Sequence, residues 1–124
     1  MSRYSIHRAS FRTQLRVSGE AGTYVTPDGK QHSLRAVRGQ TPFRMDSDGN
    51  RGATIQRSTD WLFDAADFRA AVGRWPKDGD KFQVMGPVGV KTEFRVTPFN
   101  AEPVYRLEPS GSHVRVHTLE YATL

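Results

Sequence analysis

Ser58, Thr59 and Asp60 stand together in a chain that also carries four histidines: His7, His32, His113 and His117. A serine, a carboxylate and an imidazole make a nucleophilic triad when the imidazole bridges the other two. No histidine lies near residues 58–60 in sequence, so only folding could assemble one, and a chance constellation is the expectation. His113 and His117 are four apart, a spacing that on a helix would turn both rings to one face for zinc. They flank Val114-Arg115-Val116, which alternates like a strand. Four strand residues span about 13 Å, too far for one metal. Asp46, Asp48 and Asn50 resemble a fragment of a calcium loop, but the glutamate needed at the twelfth position is missing. Gly86-Pro87-Val88-Gly89 is glycine-rich, yet no helix pattern follows to supply amide donors to a phosphate, and the segment reads as a hairpin tip. No catalytic, metal or cofactor residues are assigned, and no enzyme activity is expected. Trp61 and Trp75 are read as packing residues.

The elements that would position these groups are short strands. Gly22–Thr26 and Gln31–Val37 flank Pro27-Asp28-Gly29-Lys30, a turn in which proline fixes φ, aspartate bonds the backbone and glycine accepts positive φ. This predicts a β-hairpin, with Leu34 and Val37 facing inward. Met1–Gln14 shows no clear periodicity and reads as an N-terminal arm, followed by a short alternating stretch at Leu15–Val17. Residues 15–124 read as one β domain. Gly39–Gly52, rich in glycine, proline and aspartate, reads as a long loop with Arg38, Arg44 and Arg51 in or beside it. Ala53–Phe63 reads as a long strand. Asp64 is the expected N-cap of a short helix ended by Gly73. Pro76-Lys77-Asp78-Gly79-Asp80 is a second turn, and Phe82 and Val84 should share one face of the strand after it. Strands at Thr92–Val96, Val104–Leu107 and Val114–Thr118 complete a mainly β fold, a small barrel or sandwich with one short helix and a long loop.

With 124 residues the chain is about one domain long. It has no cysteine, which excludes disulfides and cysteine-based zinc sites. No apolar stretch approaches the roughly 18 residues that span a membrane, and the N-terminus lacks a signal-peptide core. The net charge of +5 is uneven: residues 1–57 hold ten basic and four acidic side chains, residues 58–124 eight and nine. That asymmetry suggests that one end of the fold meets nucleic acid or an acidic protein surface.

The C-terminal half carries a further pattern. Phe63-Asp64-Ala65-Ala66-Asp67-Phe68 precedes Pro-x-Asp-Gly-Asp at 76–80. Phe94-Arg95-Val96, Glu102-Pro103-Val104-Tyr105-Arg106 and Val114-Arg115-Val116-His117-Thr118-Leu119-Glu120 follow. Over residues 53–120 this resembles the small head–tail joining proteins of phages and prophages, similar in kind to that of phage lambda. Tyr105 and Leu107 stand where aromatic residues are usual, and Leu119 stands where lysine is. The resemblance implies a structural virion protein, assembled in the host cytoplasm. It would form a hexameric or dodecameric ring at the head–tail junction, joining the portal or adaptor to the tail and retaining DNA. Partners would be those proteins, further copies of the chain, and double-stranded DNA contacted without sequence preference. Arg38, Arg44, Arg51 and Arg57 are the candidates for the DNA channel or ring interface. Val114, Arg115, Val116 and His117 are the candidates for an edge strand shared between subunits. A sequence-independent nucleic-acid-binding barrel of the OB type is the alternative, resting on the basic N-terminal half.

Overall fold

The computed structural model describes residues 3–45, 54–86, 88–98 and 102–123, with 40–45, 54–57 and 122–123 described by their backbone pairing. The elements in chain order are α1 (Arg3–Ser18), β1 (Glu20–Val25), β2 (Gln31–Met45), β3 (Thr54–Asp64), α2 (Ala65–Val72), β4 (Lys81–Met85), β5 (Lys91–Val96), β6 (Tyr105–Leu107) and β7 (His113–Thr123). The strands pair antiparallel in the order β3-β2-β1-β4-β5-β7, and β3 returns to pair with β7, closing a barrel. The short β6 adds to the outside of β7. The expected mainly β barrel is therefore present.

Strand alternation explains the core. Tyr24, Trp61, Phe63, Phe82, Phe94, Val114 and Val116 point into the barrel and are buried. Trp61 meets Phe82 and Phe94 edge-on, with ring centroids 5.0 and 5.1 Å apart. Such pairs contribute about 0.5–1.5 kcal/mol beyond their burial. Gly22 permits this packing: a Cβ there would lie 2.6 Å from the Phe82 ring and 2.7 Å from the Gln83 carbonyl.

One end of the barrel is plugged by α2, whose Phe68 is fully buried against Tyr24 and Phe63. The Asp64 carboxylate accepts from the Asp67 amide (2.9 Å), and Gly73 ends the helix at φ 84°, the start and stop read from the sequence. The Pro27-Asp28-Gly29 turn also forms, joining Val25 to Gln31 with Gly29 at φ 88°.

Several expectations need correcting. Residues 3–18 form one helix, which spans most of the expected arm and the alternating stretch at Leu15–Val17. Only Phe11 and Leu15 of α1 are buried, against Val37 and Leu62 on the outside of the barrel. A single i,i+4 pair leaves almost no apolar periodicity to detect; tertiary docking holds the helix. Val37 is buried under α1, whereas Leu34 packs toward the barrel core, so the two lie on opposite faces of β2. The expected 39–52 loop is strand through Met45 and strand again from Thr54; residues 46–53, including Arg51, lie outside the described residues. Gly39 and Pro42 suggested a break, but from Gln40 onward β2 pairs with β3 alone, and an open strand edge tolerates proline.

Candidate functional site

Folding does bring a histidine to Ser58 and Asp60, from β7. Asp60 pairs with His117 in the β3–β7 register. Ser58 Oγ donates to Asp60 Oδ1 (2.5 Å), and His117 Nδ1 lies 2.9 Å from the same carboxylate oxygen. The other ring nitrogen, Nε2, lies 2.8 Å from Glu102 Oε2. Arg115 Nη1 donates to Asp60 Oδ2 (2.6 Å), and Arg106 Nη1 donates to Glu102 (3.2 Å). The result is a chain of polar contacts that ties β3, β7, β6 and the β5–β6 connection together. It is not arranged as a triad. A triad histidine accepts the serine proton on one ring nitrogen and holds the carboxylate with the other. Here Ser58 and Asp60 face the same nitrogen, Ser58 already donates to Asp60, and all three side chains are buried. The sequence singled out Ser58 and Asp60 as a possible pair; the long-range partners His117, Glu102 and Arg115 carried no local signal. His113, whose ring stacks on Phe11 at 4.5 Å, belongs to a separate neighbourhood under α1.

A second buried cluster grows from the Pro76–Asp80 turn. Asp80 is fully buried. It accepts from the Tyr24 hydroxyl (2.6 Å), from the Lys77 amide (3.0 Å) and from Arg74 in a two-pronged pair (2.9 and 2.8 Å). Burial, and then the hydrogen bond to Asp80, push the Tyr24 hydroxyl far above its ordinary range. Burying a carboxylate costs several kcal/mol unless it is paired and hydrogen-bonded, as it is here. A third cluster docks α1. Arg8 donates to Asp64 at 3.1 and 3.2 Å, and Arg12 donates to Asp67 at 3.0 Å. The bond to Asp64 raises the Arg8 guanidinium pKa. Each of these polar groups is engaged within the chain, and each ties elements distant in sequence.

The strand edges left open among the described residues lie elsewhere. Among the described residues, positions 41–45 of β2 and 54–58 of β3 pair only with each other, because β7 joins β3 from Thr59 and β1 joins β2 only as far as Ala36. They form a two-stranded ribbon that runs past the barrel rim with both edges open among the described residues. The register, with 38 opposite 61, 42 opposite 57 and 44 opposite 55, puts positions 38, 44 and 57 on one face of the ribbon. Arg38 stands at its base. The guanidinium lies 4.8 Å over the Trp61 ring and 5.2 Å over the Phe94 ring, and donates to Glu20 at 3.1 and 3.3 Å. Arg38 thus caps the barrel mouth and is already paired.

The proposed edge strand is not an edge. Val114, Arg115 and Val116 pair with β3 on one side and with β6 on the other. His117 pairs with Asp60 of β3, and its amide donates to the Val104 carbonyl (2.8 Å). Closure of the barrel between β3 and β7 uses the backbone groups that an edge would offer. Among the described residues, the open edges belong to the β2–β3 ribbon and to the outer side of the short β6.

Among the described residues, no helix is long and apolar enough to cross a membrane. Among curated proteins, none matches the chain. A family model described as phage head-tail joining protein matches residues 5–124, so the likeness seen over 53–120 extends through the N-terminal third. The chain belongs to the phage head–tail joining proteins.

Proposed function

We propose that this chain is a neck subunit, built into the virion at the head–tail junction, where copies form a hexameric or dodecameric ring between portal or adaptor and tail. Family membership supports the structural role. The observation that carries the finer reading is the β2–β3 ribbon, which leaves the barrel with open edges and places positions 38, 44 and 57 on one face. An isolated two-stranded ribbon is marginal in water and gains stability by packing against something else. A basic ribbon face suits the wall of a DNA channel, where phosphate contacts carry no sequence preference. Arg44, Arg51 and Arg57 are the residues we assign to that wall or to the subunit interface. Arg38 holds the ribbon base. The chain is assigned no catalytic step, and its partners are the portal or adaptor, the tail and its own copies.

Cryo-electron microscopy of particles from the phage encoding the chain tests this. A ring of barrels around the channel, with ribbons directed inward or between subunits, is expected. Intact particles without the chain would refute the neck reading. Steep salt-dependent DNA binding by a monomer would then favour the nucleic-acid-binding barrel.

A further inference from the structure

The β4–β5 hairpin has an unusual tip. Its turn is closed by backbone bonds, with the Gly86 amide donating to the Val90 carbonyl (2.7 Å) and the Gly89 amide to the Gly86 carbonyl (3.1 Å); Gly89 supplies the positive φ of 78°. Nothing in that geometry asks for an apolar side chain. Yet Val88 at the summit is 83% exposed, and Met85 and Val90 at its base are 56% and 38% exposed. The end of β7 lies alongside, with Thr92 paired to Thr123 and Met85 to Lys91. There the register slips: Glu93 pairs with Ala122 but Phe94 with Glu120, so Tyr121 is the extra residue of a β-bulge. Bulges re-aim side chains, and Tyr121 is 60% exposed with the Arg95 guanidinium 5.2 Å over its ring. A cluster of exposed methionine, valine and tyrosine beside cations has the composition of a protein interface core.

Charge says what kind of partner fits. At this end Arg38 and Glu20 neutralise each other, and buried Glu93 accepts from Gln83 and pairs with Lys81. Among the described residues of β5 and the end of β7, Lys91 and Arg95 then outnumber Glu120. A second copy meeting this surface about a two-fold axis would set Lys91 and Arg95 against their own images, which costs affinity. We propose that the β4–β5 tip, with Tyr121, docks into a different virion protein that offers an apolar socket with an acidic rim. This rests on the neck reading above.

The test uses the phage lacking this gene, complemented by plasmid-borne variants. Mass spectrometry of wild-type particles comes first, and absence of the chain refutes the neck reading itself. With the chain present, Val88→Asp should lower infectious titre by roughly 100-fold, the size expected for an interface hot spot. Val88→Lys should cost distinctly less, and Lys91→Glu should also lower titre. Purified Val88→Asp should melt with wild type and sediment like it; should it fail to fold, Lys91→Glu carries the test. Titres within about threefold of wild type for the folded variants, or equal losses for Val88→Asp and Val88→Lys, would overturn the proposal. A change in self-association on Val88→Asp would assign the surface to a second copy and overturn it too.

Discussion

The two ends of the barrel solve the same problem in opposite ways. At one end, the Thr26–Lys30 turn is polar, α2 plugs the core, and Asp80 gathers Tyr24, Arg74 and the Lys77 amide into a closed set of bonds. At the other, the β2–β3 ribbon runs past the rim, the β4–β5 tip carries Val88, and Arg38 over Trp61 caps the core. The closed end consumes its polar groups within the chain and so holds the fold. Among the described residues, the open end leaves strand edges unpaired and Val88 exposed, which is why the proposed assembly surface lies there. On the proposed reading, stability and docking are segregated along the barrel axis, so that the docking end can vary without unfolding the subunit.

Mutations at the two ends should therefore differ in size and in kind. Asp80→Ala should have the largest effect, about 3–5 kcal/mol of stability, because it strands a guanidinium and a buried hydroxyl. Urea unfolding would measure this; a loss under about 1 kcal/mol would mean the closed end is not the anchor. Gly22→Ala comes next, at about 1–3 kcal/mol, since the new Cβ meets the Phe82 ring and backbone that cannot retreat. A smaller methyl effect in calorimetry would show that the barrel wall relaxes there. Arg38→Ala, at the open end, should cost about 1 kcal/mol: the guanidinium loses its place over two rings, while its exposed ion pair adds little. A cost matching that of Asp80→Ala would erase the contrast between the ends.

The smallest expected effect is one of pH. Burial beneath α1 pushes the His113 imidazole below its ordinary value, with Glu108 opposing that shift. A histidine held neutral in the fold binds its proton more readily when unfolded. Stability is then intact above about pH 6.5, the ordinary histidine value, and declines as pH falls toward the lowered one. The urea midpoint should drop across that interval, and His113→Phe should flatten the drop. An unchanged slope in the variant would place the acid sensitivity elsewhere.

Much of the local structure was readable in the chain. Pro-Asp-Gly made its turn, Asp64 and Gly73 bounded α2, and the alternation of Phe82 and Val84 set the inward face of β4, because these signals act over a few residues. The string of cues from Phe63 to Glu120 was enough to mark the family. Helix α1 was not legible, since one Phe11–Leu15 pair and the ion pairs of Arg8 and Arg12 to residues more than fifty positions away hold it. Nor was the strand nature of 39–45, because glycine and proline speak against a strand until the edge on which they sit is known.

The sequence by itself determined which residues turn, cap and alternate, and that the chain carries its positive charge in its N-terminal half. Only the tertiary structure decided which strands are edges. Closing β3 onto β7 used the backbone groups of 114–117 and, among the described residues, left those of the β2–β3 ribbon edges open. It also decided that Ser58, Asp60 and His117 form a structural clasp rather than a triad, since the ring nitrogen each group meets depends on the register between strands more than fifty residues apart.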